Sequence, residues 1–165
     1  MERSVILNNR EIQHKLRRIA FQIYENNTAY NEIVIAGITM NGYVLAKKLK
    51  VLLEEISSIK VIICEVIINK KDPLSIIKTS IPEGIYKNKS LVLVDDVLNS
   101  GTTLMYAVKH FLNVPLKQFN TAVLVNRNHK KYPVKADFKG ISLSTSLQEH
   151  ITVEVAGNKV IAYLN

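Results

Sequence analysis

The sequence predicts an α/β fold built on a central, mainly parallel β-sheet with helices on its faces. Three observations carry that prediction. Runs of β-branched residues alternate with amphipathic helical patterns along the chain. One apolar run, Leu91-Val92-Leu93-Val94, is uninterrupted, as a strand buried on both faces requires. Two strand-loop-helix units carry Gly-bearing loops able to present backbone N–H groups to an anion, at Gly37–Gly42 and at Asn99–Thr103. The chain has 165 residues, 47% hydrophobic and 22% charged, which fits one globular domain over residues 1–165 with a proper core.

The elements follow in order. Asn8 caps a helix that runs to about Asn27, with Glu11 three residues on in a capping-box relation. Ile12, Leu16, Ile19, Ala20 and Ile23 form its apolar stripe. Arg10, Lys15, Arg17 and Arg18 occupy the other faces, either as a solvated basic surface or as contacts for phosphate or RNA. A strand over Glu32–Ala36 leads through the turn Gly37–Gly42 into a helix from Tyr43 to about Ile56, with Val44, Leu45, Leu49, Leu52 and Leu53 facing inward. Lys60–Ile68 is the next strand. Residues 69–89 change character: Lys70, Lys71, Asp72, Pro73, Pro82 and Gly84 describe a loop or β-arm at the rim of the sheet, either a lid or an ordered edge hairpin. After the central strand and its helix, Phe119–Val125 is a strand ending in the polar, basic loop 126–133. Asp137–Leu143 is a short extended piece. Ile151–Val155 and Val160–Leu164 make a hairpin about residues 156–159, expected to close the sheet as an antiparallel tail.

Lys and Arg exceed Asp and Glu by 22 to 14, a net charge of +8. That excess suits polyanionic small molecules, nucleic acid or plain solubility. No long basic block with interleaved aromatics points to nucleic acid by charge alone. Cys64 is the single cysteine, which excludes an intrachain disulfide and fits a reducing compartment. It lies in an apolar strand pattern and reads as inert core. His and Cys spacing for a structural zinc is absent. No signal-like apolar segment or membrane-length stretch is seen, so a cytoplasmic protein without a membrane partner is expected.

The stretch Ser90–Leu104 organises the rest. Asp95 and Asp96 fall at the carboxyl end of the apolar run, where open α/β sheets bind ligands. Asn99-Ser100-Gly101-Thr102-Thr103 then offers successive backbone N–H groups, three hydroxyls, a Gly that permits close approach and a helix N-terminus. Those are the parts of a phosphate site. Two carboxylates just upstream accept hydrogen bonds from neighbouring hydroxyls, directly or through a metal. Phosphate on one side and a diol on the other describe a ribose 5-phosphate.

This stretch resembles the phosphoribosyl pyrophosphate (PRPP) motif of the type I phosphoribosyltransferases. With the opening VILNNREIQHKLRRIAFQIYENN, the GITMNGYVLAKKL unit, AVLVNRNHKKYPVKADFKG and the final strands, nearly the whole chain resembles the PyrR-type pyrimidine-operon regulators. Those are RNA-binding attenuators with uracil phosphoribosyltransferase activity. The resemblance implies a parallel sheet flanked by helices, a small hood (here within about residues 69–89), a C-terminal hairpin, and homodimers or higher oligomers. It implies a catalytic acidic pair, Asp95 and Asp96, on the ribose hydroxyls and on Mg2+, directly or through water. Asn99, Ser100, Gly101, Thr102 and Thr103 would cradle the 5′-phosphate. Thr39, Met40, Asn41 and Gly42 would meet the pyrophosphate. Arg127 and His129 would lie near the nucleotide.

The departures from the pattern are specific. Thr39, Met40 and Asn41 replace the Lys, Thr and Arg usual in the first loop, and the lost arginine contact corresponds to roughly 1.5–3 kcal/mol. Thr102 replaces an Arg, and Asn126-Arg127-Asn128-His129 replaces Asp-Arg-Gly-His. On the first helix, Arg17 and Phe21 replace a Thr and a His tied to RNA binding in the family, while Arg18 persists. Asn99 stands where purine-salvage relatives have a carboxylate, and an amide cannot accept a proton in that role. The expected function is transfer of ribose 5-phosphate from PRPP to a nucleobase, uracil first, releasing pyrophosphate. The alternatives are a non-catalytic PRPP or nucleotide sensor, with or without RNA binding, and a phosphoribosyltransferase for another substrate.

Overall fold

The computed structural model describes residues 3–165. A short strand, β1 (Ser4–Leu7), precedes helix α1 (Asn9–Asn26). Asn8 caps that helix as its sequence foretells: its Oδ1 accepts from the Glu11 amide at 3.0 Å, and the Glu11 carboxylate accepts from the Asn8 amide at 2.8 Å. Ile12, Leu16, Ile19, Ala20 and Ile23, the expected stripe, are all buried.

The central sheet is assembled from β2 (Glu32–Ile38), β3 (Lys60–Ile67), β4 (Lys78–Thr79), β5 (Ser90–Leu98), β6 (Gln118–Asn126) and β7 (Phe138–Ser142). Their order is β4-β3-β2-β5-β6-β7. Every neighbouring pair is parallel except β3 and β4. Helix α2 (Asn41–Ile56) links β2 to β3. The short α3 (Glu83–Tyr86) precedes β5, and α4 (Thr102–Phe111) links β5 to β6. On β5, Val92 and Val94 join a core with α1 and α2, while Leu91 and Leu93 join a second core with α4. Burial on both faces explains why this run is apolar without alternation.

The last two strands, β8 (Ile151–Ala156) and β9 (Lys159–Leu164), form the expected hairpin. They do not close the central sheet. They pair with β1 in a separate antiparallel sheet of order β1-β9-β8. The physical reason is their pattern: Ile151 and Val153 alternate with exposed Thr152 and Glu154, which suits a sheet covered on one side only. That covered side rests on the core shared with α1 and α2. The central sheet ends instead at β4 on one edge and at β7, the segment read as a short extended piece, on the other.

Residues 69–89 leave β3 through a turn in which the Asn69 side chain accepts from the Lys71 amide at 3.0 Å. They add β4 antiparallel to β3 and return to β5 through α3. Arg18 is drawn off the expected basic surface of α1. Its guanidinium donates to the carbonyls of Lys139 and Gly140 at 2.6 and 2.7 Å, pinning the helix to β7. Cys64 is buried and free. No described helix is long and apolar enough to cross a membrane.

Candidate active site

Strand β2 passes through α2 to β3 on one side, and β5 passes through α4 to β6 on the other. The chain therefore diverges between β2 and β5, and a crevice opens at their carboxyl ends. The loop after β2 and the loop after β5 flank it.

Asp95 and Asp96 lie within β5 rather than beyond it, because Asp95, Val97 and Leu98 keep pairing with β6. Adjacent aspartates are poor strand formers. Here each carboxylate accepts the amide that follows it, Asp96 N to Asp95 Oδ1 and Val97 N to Asp96 Oδ1, both at 2.9 Å. Asp95 is buried, with 4% of its surface exposed, and Asp96 is half-buried. Burial, then the Asp96 carboxylate beside it, push the Asp95 carboxyl up to about 8, with Lys70 pulling the other way. The Lys70 ammonium stands 3.5 Å from Asp95 Oδ1.

The loop after β5 has the expected form. Gly101 adopts φ +84° as the residue before α4, and no side chain caps that helix. The Thr102 amide makes only a long 3.3 Å bond to Ser100 Oγ, and the amides of Thr103 and Leu104 are left for another acceptor. A Cβ on Gly101 would stand 2.6 Å from Val134 Cγ1. Ser100 Oγ and Thr102 Oγ1 are 2.9 Å apart. The Ser100 carbonyl accepts from the amides of Lys131 and Tyr132, so the basic loop after β6 supports this one. A cavity of about 150 Å3 is bounded by Asp95, Lys70 and the run Asn99–Thr103.

The first loop is tighter than its sequence suggests. Strand β2 continues through Ile38 and α2 begins at Asn41, leaving Thr39 and Met40 as the turn, joined by a cis peptide bond. The Thr39 hydroxyl donates to the Val66 carbonyl at 2.8 Å, on β3, and Met40 is exposed. Asn41 Nδ2 donates both to Asp96 Oδ2 and to the carbonyl of Val153 on β8, each at 2.9 Å. Gly42 permits contact between α2 and β5: a Cβ there would meet the Val94 carbonyl at 2.6 Å.

Arg127 and His129 stand on the far side of the phosphate-type loop. Arg127 is buried, and its guanidinium donates to Thr145 Oγ1, the Ser146 carbonyl and, at 3.4 Å, Asn99 Oδ1. The His129 Nε2–H donates to the Thr145 carbonyl. The structure thus gathers Asp95, Asp96, Asn41 and Asn99–Thr103 about the crevice and links Arg127 to it through Asn99. Sequence reasoning placed neither Lys70 nor Val153 in this group. Lys70 was visible only as one basic residue of the 69–89 segment, and Val153 contributes a backbone carbonyl, which leaves no sequence signal.

A strand order that diverges beside an acidic pair and a phosphate-type loop is the architecture of the type I phosphoribosyltransferase fold. The sequence matches the phosphoribosyl transferase domain over residues 2–156, and the chain belongs to that family of transferases. It is similar to the bifunctional protein PyrR of Clostridium acetobutylicum, at 35% identity over 160 residues covering 92% of this chain and 90% of the relative. The bifunctional protein PyrR of Bacillus pumilus is 34% identical over 176 residues, covering 98% and 97%. The hypoxanthine phosphoribosyltransferase of Trypanosoma cruzi superposes with a TM-score of 0.77 at 12% identity, over 96% of this chain and 95% of that one. A hypoxanthine-guanine phosphoribosyltransferase of Bacillus anthracis does so with 0.76 at 18% identity, over 98% and 99%. Those two likenesses concern the fold.

Proposed function

We propose that this protein transfers ribose 5-phosphate from PRPP to a pyrimidine base, uracil first, and releases pyrophosphate. The observation that carries the reading is the meeting of Asp95, with Asp96 next to it on β5, and the N-terminus of α4, which no side chain caps, around one crevice. In this reading the amides and hydroxyls of Asn99–Thr103 hold the 5′-phosphate. Asp95 and Asp96 accept from the ribose hydroxyls. Backbone amides of Thr39–Gly42 face the pyrophosphate, and Arg127 orients Asn99 beside the sugar. The arm over 69–89 brings Lys70 to the rim of the crevice.

The acidic pair offers oxygen donors only, which fits a hard cation that keeps water and substrate phosphates in its shell, as Mg2+ does. Among the described residues, no cluster of three or more His, Cys, Asp or Glu side chains could hold a metal without such partners. Bound Mg2+ supplies charge neutralisation to the leaving pyrophosphate. The protein's share is orientation: it holds C1 of the sugar open to the base while the bond to pyrophosphate breaks, and fixed dipoles stabilise the separating charges. We place the protein in the cytoplasm, as a homodimer or higher oligomer.

Calorimetric titration of PRPP with Mg2+ into wild type and the double variant Asp95→Asn/Asp96→Asn, followed by uracil and a product assay, tests the reading. Binding that the double variant loses, followed by UMP and pyrophosphate, is the expected result. An absence of PRPP binding to wild type overturns it.

Binding without product favours a second reading, a nucleotide-responsive regulator. Two observations support that reading. The first loop has no charged side chain. A separate groove of about 750 Å3 between α1, α2 and the β8–β9 turn carries His14, Arg17, Lys47 and Lys48, a surface suited to RNA phosphates.

A further inference from the structure

Both members of the acidic pair rest on the first two residues of α2. Gly42 admits Asp95: a Cβ there would stand 3.0 Å from the Asp95 Cα and 3.3 Å from its Oδ1. Asn41 holds Asp96: its Nδ2 donates to Asp96 Oδ2 and to the Val153 carbonyl, each at 2.9 Å. A carboxylate and a backbone carbonyl only accept, so the carboxamide must turn its NH2 toward them, and both of its hydrogens are then spent. The other carboxylate oxygen of Asp96 takes the Val97 amide at 2.9 Å. Asp96 is thus fixed at one oxygen by its own strand and at the other from α2, with β8 as the anchor.

This use of the side chain separates two roles open to a residue of the first loop. A side chain that meets a leaving pyrophosphate needs a free donor. Asn41 has none left, the Thr39 hydroxyl donates to the Val66 carbonyl, and the Met40 side chain has no donor. The hydrogen bonds of the turn's side chains go into the protein, and the one group of the site they orient is the Asp96 carboxylate. A carboxylate has about four lone-pair sites, of which two are taken here, so two remain for hydroxyls of a ligand.

We propose that Asn41 is a positioning residue for Asp96. Its carboxamide, anchored on the Val153 carbonyl, aims the carboxylate at the ribose hydroxyls of the bound ligand and makes no contact with the pyrophosphate. The inference rests on the PRPP reading for the identity of that ligand.

The test compares ribose 5-phosphate with tetrahydrofurfuryl phosphate, which keeps the ring and the phosphate but has no hydroxyls. Both, and inorganic pyrophosphate, are titrated calorimetrically into wild type, Asn41→Ala, Asn41→Leu and Asp96→Ala. Wild type should prefer the hydroxylated ligand. Asn41→Ala should cut that preference about tenfold, the scale of a lost hydrogen bond to a charged group. Asn41→Leu, which keeps the bulk without charge or donor, should do the same. Neither should weaken tetrahydrofurfuryl phosphate or pyrophosphate. In an Asp96→Ala background the preference should already be reduced, and adding Asn41→Ala should reduce it no further. Equal weakening of all three ligands would make Asn41 a general structural residue, selective loss of pyrophosphate would make it a leaving-group contact, and a further loss in the Asp96→Ala background would give it a ligand contact of its own. Each of these overturns the proposal, as does wild type without the preference. Wild type that prefers ribose 5-phosphate through Asn41 but does not bind PRPP with Mg2+ refutes the PRPP reading and leaves this assignment standing.

Discussion

Burial of the Asp95 carboxyl within β5 makes its ionisation costly to the folded chain. The group is raised to about 8 in the fold and sits near 3.9 in an unfolded chain. For a raised value, the stabilising contribution is complete below the unfolded value and is lost as pH climbs toward the folded one. Asp95 should therefore erode stability between about pH 4 and pH 8. Asp95→Asn removes that erosion. It should match wild type near pH 4 and exceed it at pH 9 by at least about 1 kcal/mol, a gain of roughly 2–4 °C in Tm. Thermal melts at the two pH values check this, and parallel pH slopes for the two proteins would contradict it. The same substitution should abolish Mg2+-dependent PRPP binding. Asp95 was legible from sequence as a residue of the candidate site. Its depth was not, because the strand reads as ending at Val94, whereas pairing with β6 and side-chain acceptance of the Asp96 and Val97 amides carry β5 on through two aspartates.

Among the elements, α2 and β8 are joined at the site through Asn41, whose amide bridges Asp96 and the Val153 carbonyl. Asn41→Ala removes both bonds and leaves a part-buried carboxylate and carbonyl short of a donor, a cost of about 1–3 kcal/mol. Hydrogen exchange should show the β8 amides opening roughly tenfold faster while those of β6 are unchanged. Equal protection of β8 in both proteins would show that the bridge carries no load. The central unit was the most legible part of the chain: a continuous apolar run, two acids and a Gly-bearing hydroxyl loop force strand, turn and helix in sequence. The capping box of α1 was equally plain. β1 was not, since four residues ahead of a helix are too few to show a period, and only pairing with β9 makes them a strand. The hairpin was legible from its alternation, but its partner was not, because alternation states that one face is covered without saying by what.

At the scale of the molecule, two cores lie on opposite faces of the sheet, and the β1-β9-β8 sheet extends the one built on α1 and α2. Pairings within the central sheet span at most the stretch from Ile33 to Ser90, whereas Ser4 pairs with Leu164, at the opposite end of the sequence. Long-range pairings bear the greatest loop-closure cost and tend to form late. Val160→Ala, in the small sheet, should therefore speed unfolding severalfold and leave the folding rate nearly unchanged, whereas Val92→Ala should slow folding. Stopped-flow chevrons distinguish the two, and a folding rate equally reduced by both would refute the order. The Asn41 bridge gives this order a consequence during synthesis. A nascent chain whose last strand is still inside the ribosome can hold a finished central sheet and phosphate-type loop. Its β8 then lacks the β9 partner that steadies the Val153 carbonyl, and Asn41 has no fixed anchor from which to orient Asp96. On the function proposed above, the acidic pair gains this anchor only once β9 has joined β8, so a partly made copy would compete poorly for ligand with the completed ones.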